Sequence, residues 1–140
     1  MKTVVLVGTL DTKGAELTFL HDRLRDGGVD VVVVDCGVEP HASQLAAVSA
    51  EDVARAGGAD LEALRTAHDR GAAVAAMADG ARAIVLQLHA SGRCDGVLAA
   101  GGSGNTTIAT AAMRALPVGV PKLAVSTVAS GDVEIGRAHV

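Results

Sequence analysis

Short β-branched runs alternate along this chain with longer stretches in which apolar residues recur every three or four positions. Thr3–Val7 is almost wholly apolar and reads as a buried strand. Ala15 to about Asp26 then reads as a helix, because Leu17, Leu20 and Leu24 share one face, and Gly27 and Gly28 end it. Val31–Val34 is a second strand, too apolar to keep one face wet. From His41 to Gly58 the pattern weakens and predicts one or two short surface helices, followed by a helix over Asp60–His68. Gly71–Ala90 is the strongest helical stretch: Val74, Met77, Ala81, Val85 and Leu88 line up, with Gly80 interrupting. Gly96–Ala100 and Leu123–Ser126 are the third and fourth strands, joined by a helix over Thr107–Leu116 and a turn over Pro117–Pro121.

Strands alternating with helices pair in parallel through right-handed crossovers, which predicts an α/β three-layer sandwich with the sheet in the middle. The expected strand order is 2-1-3-4, with a switch point between the first and third strands. Ligands of such sheets bind outside the carboxyl ends of the strands at that point. The two most glycine-rich segments, Gly8–Gly14 and Gly101–Thr106, follow those two strands and are expected to be neighbours.

Composition narrows the class. With 49% apolar residues but Phe19 as the sole aromatic, the core must be built from Val, Leu, Ile and Ala between thin layers. Net charge is −4 and no basic cluster occurs, so a nucleic-acid surface is not expected. No apolar run reaches the roughly 18 residues of a membrane span, and none is expected. The amino terminus enters a strand at once, without signal-peptide layout, and Cys36 and Cys94 fit neither a disulfide framework nor a metal spacing. The setting expected is the reducing cytoplasm.

Gly101, Gly102, Ser103, Gly104, Asn105 and Thr106 combine glycines, which let backbone N–H groups approach an anion, with hydroxyl donors before a helix. A plain turn with a helix cap would need fewer glycines. Gly8, Thr9, Asp11, Thr12 and Lys13 form a second candidate, though neither a Walker A loop nor a dinucleotide fingerprint. There Lys13 could meet a phosphate as a point charge, and Asp11 could bind Mg²⁺ beside phosphate oxygens. A helix cap and a solvated lysine explain the same residues equally well. Asp35, about twenty residues on, is a ribose candidate or an ordinary turn aspartate. Ser126, Thr127, Ser130 and Gly131 follow the fourth strand and are candidates for the same crevice. The scattered histidines, His41 among them, read as surface or packing residues.

Gly8–Leu17, Gly101–Thr106 and Pro121–Asp132 together, in this order and spacing, resemble the ATP-binding domain family shared by the tomato mosaic virus resistance protein and its bacterial relatives. The likeness covers the chain to about Val133. It implies a Rossmann-like fold, ATP as the nucleotide held by these three segments, a homodimer in the intact protein, and a second α/β domain following this one. Residues 1–133 are accordingly expected to be an amino-terminal ATP-binding domain, incomplete at its carboxyl end. Glu134–Val140 departs from the family pattern. A short-read sequencing adapter beginning AGATCGGAAGAGCACACGTCTGA, preceded by one G, translates as this heptapeptide and a stop. Residues 134–140 are therefore expected to be adapter-derived.

Two other function classes stay open. The domain could be an interaction or dimerisation module in which ATP is structural, or an enzyme that transfers or hydrolyses phosphate. The enzyme would need a positioned base or nucleophile, for which only Asp11 and Asp132 offer themselves.

Overall fold

The computed structural model describes residues 1–127. Its elements are β1 (Thr3–Gly8), α1 (Leu10–Asp26), β2 (Asp30–Asp35), α2 (Ala50–Ala56), α3 (Leu61–Ala67), α4 (Arg70–Ala90), β3 (Gly96–Gly101), α5 (Ser103–Arg114) and β4 (Lys122–Ser126). The strands pair in parallel in the order β2-β1-β3-β4, as the alternation requires. The fold is α/β and Rossmann-like.

Alternation along the strands feeds two cores. Leu6 and Val33 point to one side, where Leu10 and Leu17 of α1 cover them. Val5, Val7, Val32, Val34, Val97 and Ala99 point to the other, against α2, α4 and α5. Each Val or Leu buried this way contributes roughly 1.5–3 kcal/mol relative to exposure. α4 occupies the middle of the second layer, touching both α2 and α5. Gly80 makes this possible: a Cβ there would lie 1.8 Å from the Val53 carbonyl oxygen of α2. By length and composition α4, with 21 residues at hydropathy 1.3, could cross a membrane, against the expectation that no stretch would. Its apolar residues Met77, Ala81 and Val85 are wholly buried in this core instead.

Residues 41–58 hold one short helix, α2, within the expectation, preceded by an extended stretch that bridges Val48 to Val34 at the outer edge of β2. Two local expectations are corrected. The segment after β1 is not an open loop to Gly14. Buried Leu10 starts a helical turn at once, and α1 runs on through a kink at Lys13. The segment after β3 is shorter still: Gly102 alone separates strand from helix, and α5 starts at Ser103, not Thr107. Gly102 is extended and its carbonyl accepts from Thr106 N, so the helical ladder begins there.

On the far side of the sheet β4 pairs only with β3 among the described residues, and Leu123 and Val125 are exposed. Ser130, Gly131, Asp132 and the 134–140 segment lie outside the described residues.

Candidate functional site

β1 and β3 are adjacent and in register, so their carboxyl ends open side by side. Between them lies a cleft of about 470 Å³. One wall is the turn after β1, with Thr9, Asp11, Thr12 and Lys13; another is the first turn of α5, with Gly102, Ser103, Gly104 and Asn105. Leu64, Val74, Met77 and Ile108 supply an apolar flank, and Arg65, His68 and Arg70 bring positive or titratable groups from α3 and α4. The two predicted glycine-rich segments are thus brought together.

Their glycines differ in use. Gly8 and Gly101 do not line the cleft. A Cβ on Gly8 would lie 2.4 Å from Leu17 Cδ1, and one on Gly101 2.9 Å from Asn105 Cβ. Both glycines let a helix return closely over its own strand. Gly102 and Gly104 have room, with nearest atoms at 3.9 and 3.5 Å. These two are open to a ligand.

Asn105 is 4% exposed and acts as a strut. Its amide Nδ2 donates to the carbonyls of Val7 and Ala100, tying α5 to the ends of both β1 and β3. Its Oδ1 is buried and has no donor among the described residues. The Thr106 hydroxyl donates to the Gly102 carbonyl and lies 2.7 Å from Ser126 Oγ, linking α5 to β4. Thr127 N donates to the Gly101 carbonyl. Ser126 and Thr127 therefore brace the β3 turn from beside it and do not line the cleft.

Across the cleft the Thr9 and Thr12 hydroxyls are 2.9 Å apart. Asp11 Oδ2 accepts from Glu39 N at 3.1 Å, while Oδ1 is buried without a donor among the described residues. Lys13 makes no ion pair among the described residues.

Of the two roles expected for Asp35, the structure shows that of the turn aspartate, here a structural clamp. It is wholly buried. Oδ1 accepts from Leu10 N at 3.2 Å and Gly37 N at 2.9 Å, and Oδ2 meets His41 Nε2 at 2.6 Å. Its acceptor sites are turned to the protein's own donors, and it does not line the cleft. His41 in turn is no plain surface residue: its Nδ1 meets the Glu39 carbonyl. Burial disfavours its protonation, but the Asp35 bond, the Glu39 carbonyl and the charges of Asp35 and Asp11 outweigh this and raise its pKa above the ordinary imidazole value. Cys36 lies in the same corner, where burial first and the Asp35 and Asp11 charges second push its thiol well up. It is a neutral packing residue there, not a nucleophile. Burial, with Asp95 beside it, likewise raises Cys94.

Sequence pattern missed His41, Arg65 and Arg70. Each sits in a stretch where a charged or polar residue reads as solvated. The one available signal was topological: the connection from β2 to β3 must cross β1, which carries α3 and α4 past the switch point.

A family model described as the amino-terminal domain of an uncharacterised protein family, UPF0261, matches residues 2–136. The chain belongs to this family. It is 44% identical over 131 residues to a UPF0261 protein of Clostridium tetani, an alignment covering 94% of this chain and 32% of that protein. A UPF0261 protein of Rhizobium meliloti is also 44% identical, over 95% of this chain and 32% of its own length. The ToMV resistance protein Tm-1(GCR237) of Solanum lycopersicum is 34% identical over 94% of this chain and 19% of its own. The chain thus spans about a third of the bacterial relatives' length.

Proposed function

We propose that this UPF0261 domain binds a nucleoside triphosphate, ATP, in the switch-point cleft, as the amino-terminal part of a larger cytoplasmic protein. One observation carries the reading. The first turn of α5 opens on the cleft without a side-chain cap or an acidic residue, and Lys13 stands on the opposite wall. The N–H groups of Ser103, Gly104 and Asn105 have no acceptor among the described residues. Free N–H groups and the positive end of a helix favour an anion there. The apolar flank of Leu64, Val74 and Met77 suits a planar base, so the cleft fits a ligand with one charged and one apolar end.

In this reading phosphates rest on Gly102–Thr106, and Lys13 neutralises their charge. Asp11 would repel them unless a cation lay between. Mg²⁺ takes one or two carboxylates together with phosphate oxygens, and Asp11, the carboxylate in the β1 wall of the cleft, would be the group to hold it. The ion would supply charge neutralisation; the chain's own groups bind and orient the phosphates.

The exposed Leu123 and Val125 on β4 favour a second reading, in which the domain assembles with another domain or copy and ATP stabilises that assembly.

Calorimetric titration of the full chain with ATP and Mg²⁺ tests the first reading. Lys13→Ala should weaken ATP binding by about tenfold, the scale of one charge-assisted contact, and leave adenosine binding nearly unchanged. No saturable binding by folded wild-type chain would overturn it. Equal losses for ATP and adenosine would remove Lys13 from the phosphate site.

A further inference from the structure

The first turn of α5 faces a cation that the glycine-rich segments do not contain. Arg70 opens α4, and its Nη2 lies 3.5 Å from where a Cβ on Gly104 would sit, beside Val74. A guanidinium laid against the amino-terminal end of a helix sits at the positive pole of the helix dipole, where a carboxylate is normally preferred. Asp11, Glu39 and Asp69 line the same cleft, but no carboxylate among the described residues pairs with Arg70. Neighbouring Asp69 is turned to α4, its Oδ1 accepting from Ala72 N. Arg70 itself makes no ion pair among the described residues. Lys13, on the facing wall, is in the same position. Two positive features therefore meet at this helix end, the helix pole and a guanidinium, and the Lys13 ammonium lines the same cleft.

A second and independent observation marks the same place. Asn105 sits in that first helical turn, is 4% exposed, and keeps a buried Oδ1 without a donor among the described residues. An unpaired buried acceptor costs about 1–3 kcal/mol unless a donor arrives. A phosphate hydroxyl would be one such donor. A nucleotide brings ribose hydroxyls, and the waters of a bound Mg²⁺ would serve as well.

We propose that Arg70 is a phosphate-binding residue, holding the outer phosphoryl groups of the nucleotide against the first turn of α5 from the α4 side. The inference rests on the nucleotide reading and adds a third wall to it. Arginine suits the place because its planar fork can meet two phosphate oxygens at once, which lysine's single ammonium cannot. Binding would also tie the start of α4 to the start of α5, two elements that otherwise meet mainly through apolar side chains.

The full chain and its Arg70→Ala and Arg70→Lys variants would be titrated with Mg-ATP, adenosine and inorganic tripolyphosphate, with a melting curve for each. Arg70 is exposed, so the variants should melt as wild type does. Arg70→Ala should lose about tenfold or more in affinity for ATP and tripolyphosphate and stay within about twofold for adenosine. Arg70→Lys should recover part of the loss. If wild type binds ATP and Arg70→Ala binds it equally well, Arg70 is excluded and the nucleotide reading survives. If ATP and adenosine weaken alike, Arg70 only shapes the cleft and the proposal fails. If wild type binds none of the three probes, the nucleotide reading falls and takes the proposal with it. Binding of tripolyphosphate without any preference for ATP would keep Arg70 as an anion ligand and overturn the nucleotide.

Discussion

At the end of β1 the chain turns through Gly8 and Thr9 into a helix that kinks at Lys13, whereas at the end of β3 a single residue, Gly102, separates strand from helix. The two turns have similar compositions and opposite priorities. The first is fastened from below: Asp35 holds Leu10 N and Gly37 N, and Asp11 holds Glu39 N. Its side chains are largely spent on positioning, leaving Lys13 without an ion pair among the described residues. The second is fastened by the Asn105 strut, with Ser126 and Thr127 bracing it from beside, and leaves the N–H groups of Ser103, Gly104 and Asn105 without an acceptor among the described residues. The β1 turn is a braced shoulder, and in the proposed reading the β3 turn is the receptor.

Breaking the clamp should have the largest effect. Asp35→Ala would leave two buried N–H groups without their acceptor and His41 without its partner. Removing one member of a buried charged network costs about 3–5 kcal/mol, so a large drop in the urea midpoint is expected. A loss below about 1 kcal/mol, the size of an ordinary hydrogen bond, would mean that the shoulder is not held from Asp35.

A sharper comparison lies within the β3 turn itself. In Gly101→Ala the new methyl would meet the root of the Asn105 side chain at 2.9 Å, which cannot swing away without moving the strut. Overpacking of this kind costs about 1–3 kcal/mol. Gly104→Ala places its methyl at 3.5 Å from Arg70, an ordinary contact, and alanine is the better helix former. That variant should melt at or slightly above the wild-type temperature and yet bind triphosphate more weakly, because the methyl enters the space between Arg70 and the helix end. Two variants three residues apart would then separate stability from binding. If Gly104→Ala binds as wild type does, the open face of the turn is not where the anion rests.

These differences explain what the sequence could reveal. The sheet order, both cores and the meeting of the two glycine-rich segments follow from periodicity and crossover handedness, which are properties of whole elements. Val5 and Leu6 fall on opposite faces because a strand alternates, and Leu17 falls inward because a helix repeats. What pattern could not reveal is how a glycine is used. Gly101 and Gly104 look alike in sequence, and only the position of Asn105 makes one a packing glycine. Asp35 and His41 likewise depend on a contact between the end of a strand and a loop without periodicity. Arg65 and Arg70 reach the cleft because α3 and α4 are carried over β1, a consequence of topology that no local window contains.

The smallest expected effect concerns pH and tests the same clamp more gently. His41 pairs with Asp35, and its pKa is raised in the folded chain. Asp35 and Asp11 are the charges that favour its protonated form, against the opposing effect of burial. A group raised on folding binds its proton more tightly in the native state, so its stabilising contribution is complete below the unfolded value of about 6.5 and fades as pH rises through the folded value. Wild-type stability should therefore decline from mildly acidic to alkaline pH. His41→Gln should flatten that decline, and the two proteins should differ most at the acidic end of the window. Denaturant unfolding at closely spaced pH values measures the slope, which for one group is proportional to the difference in bound protons between unfolded and folded chain. Parallel profiles for the two proteins would show that His41 does not hold Asp35 through its charge, and would leave the backbone donors of Leu10 and Gly37 as the clamp's only working parts.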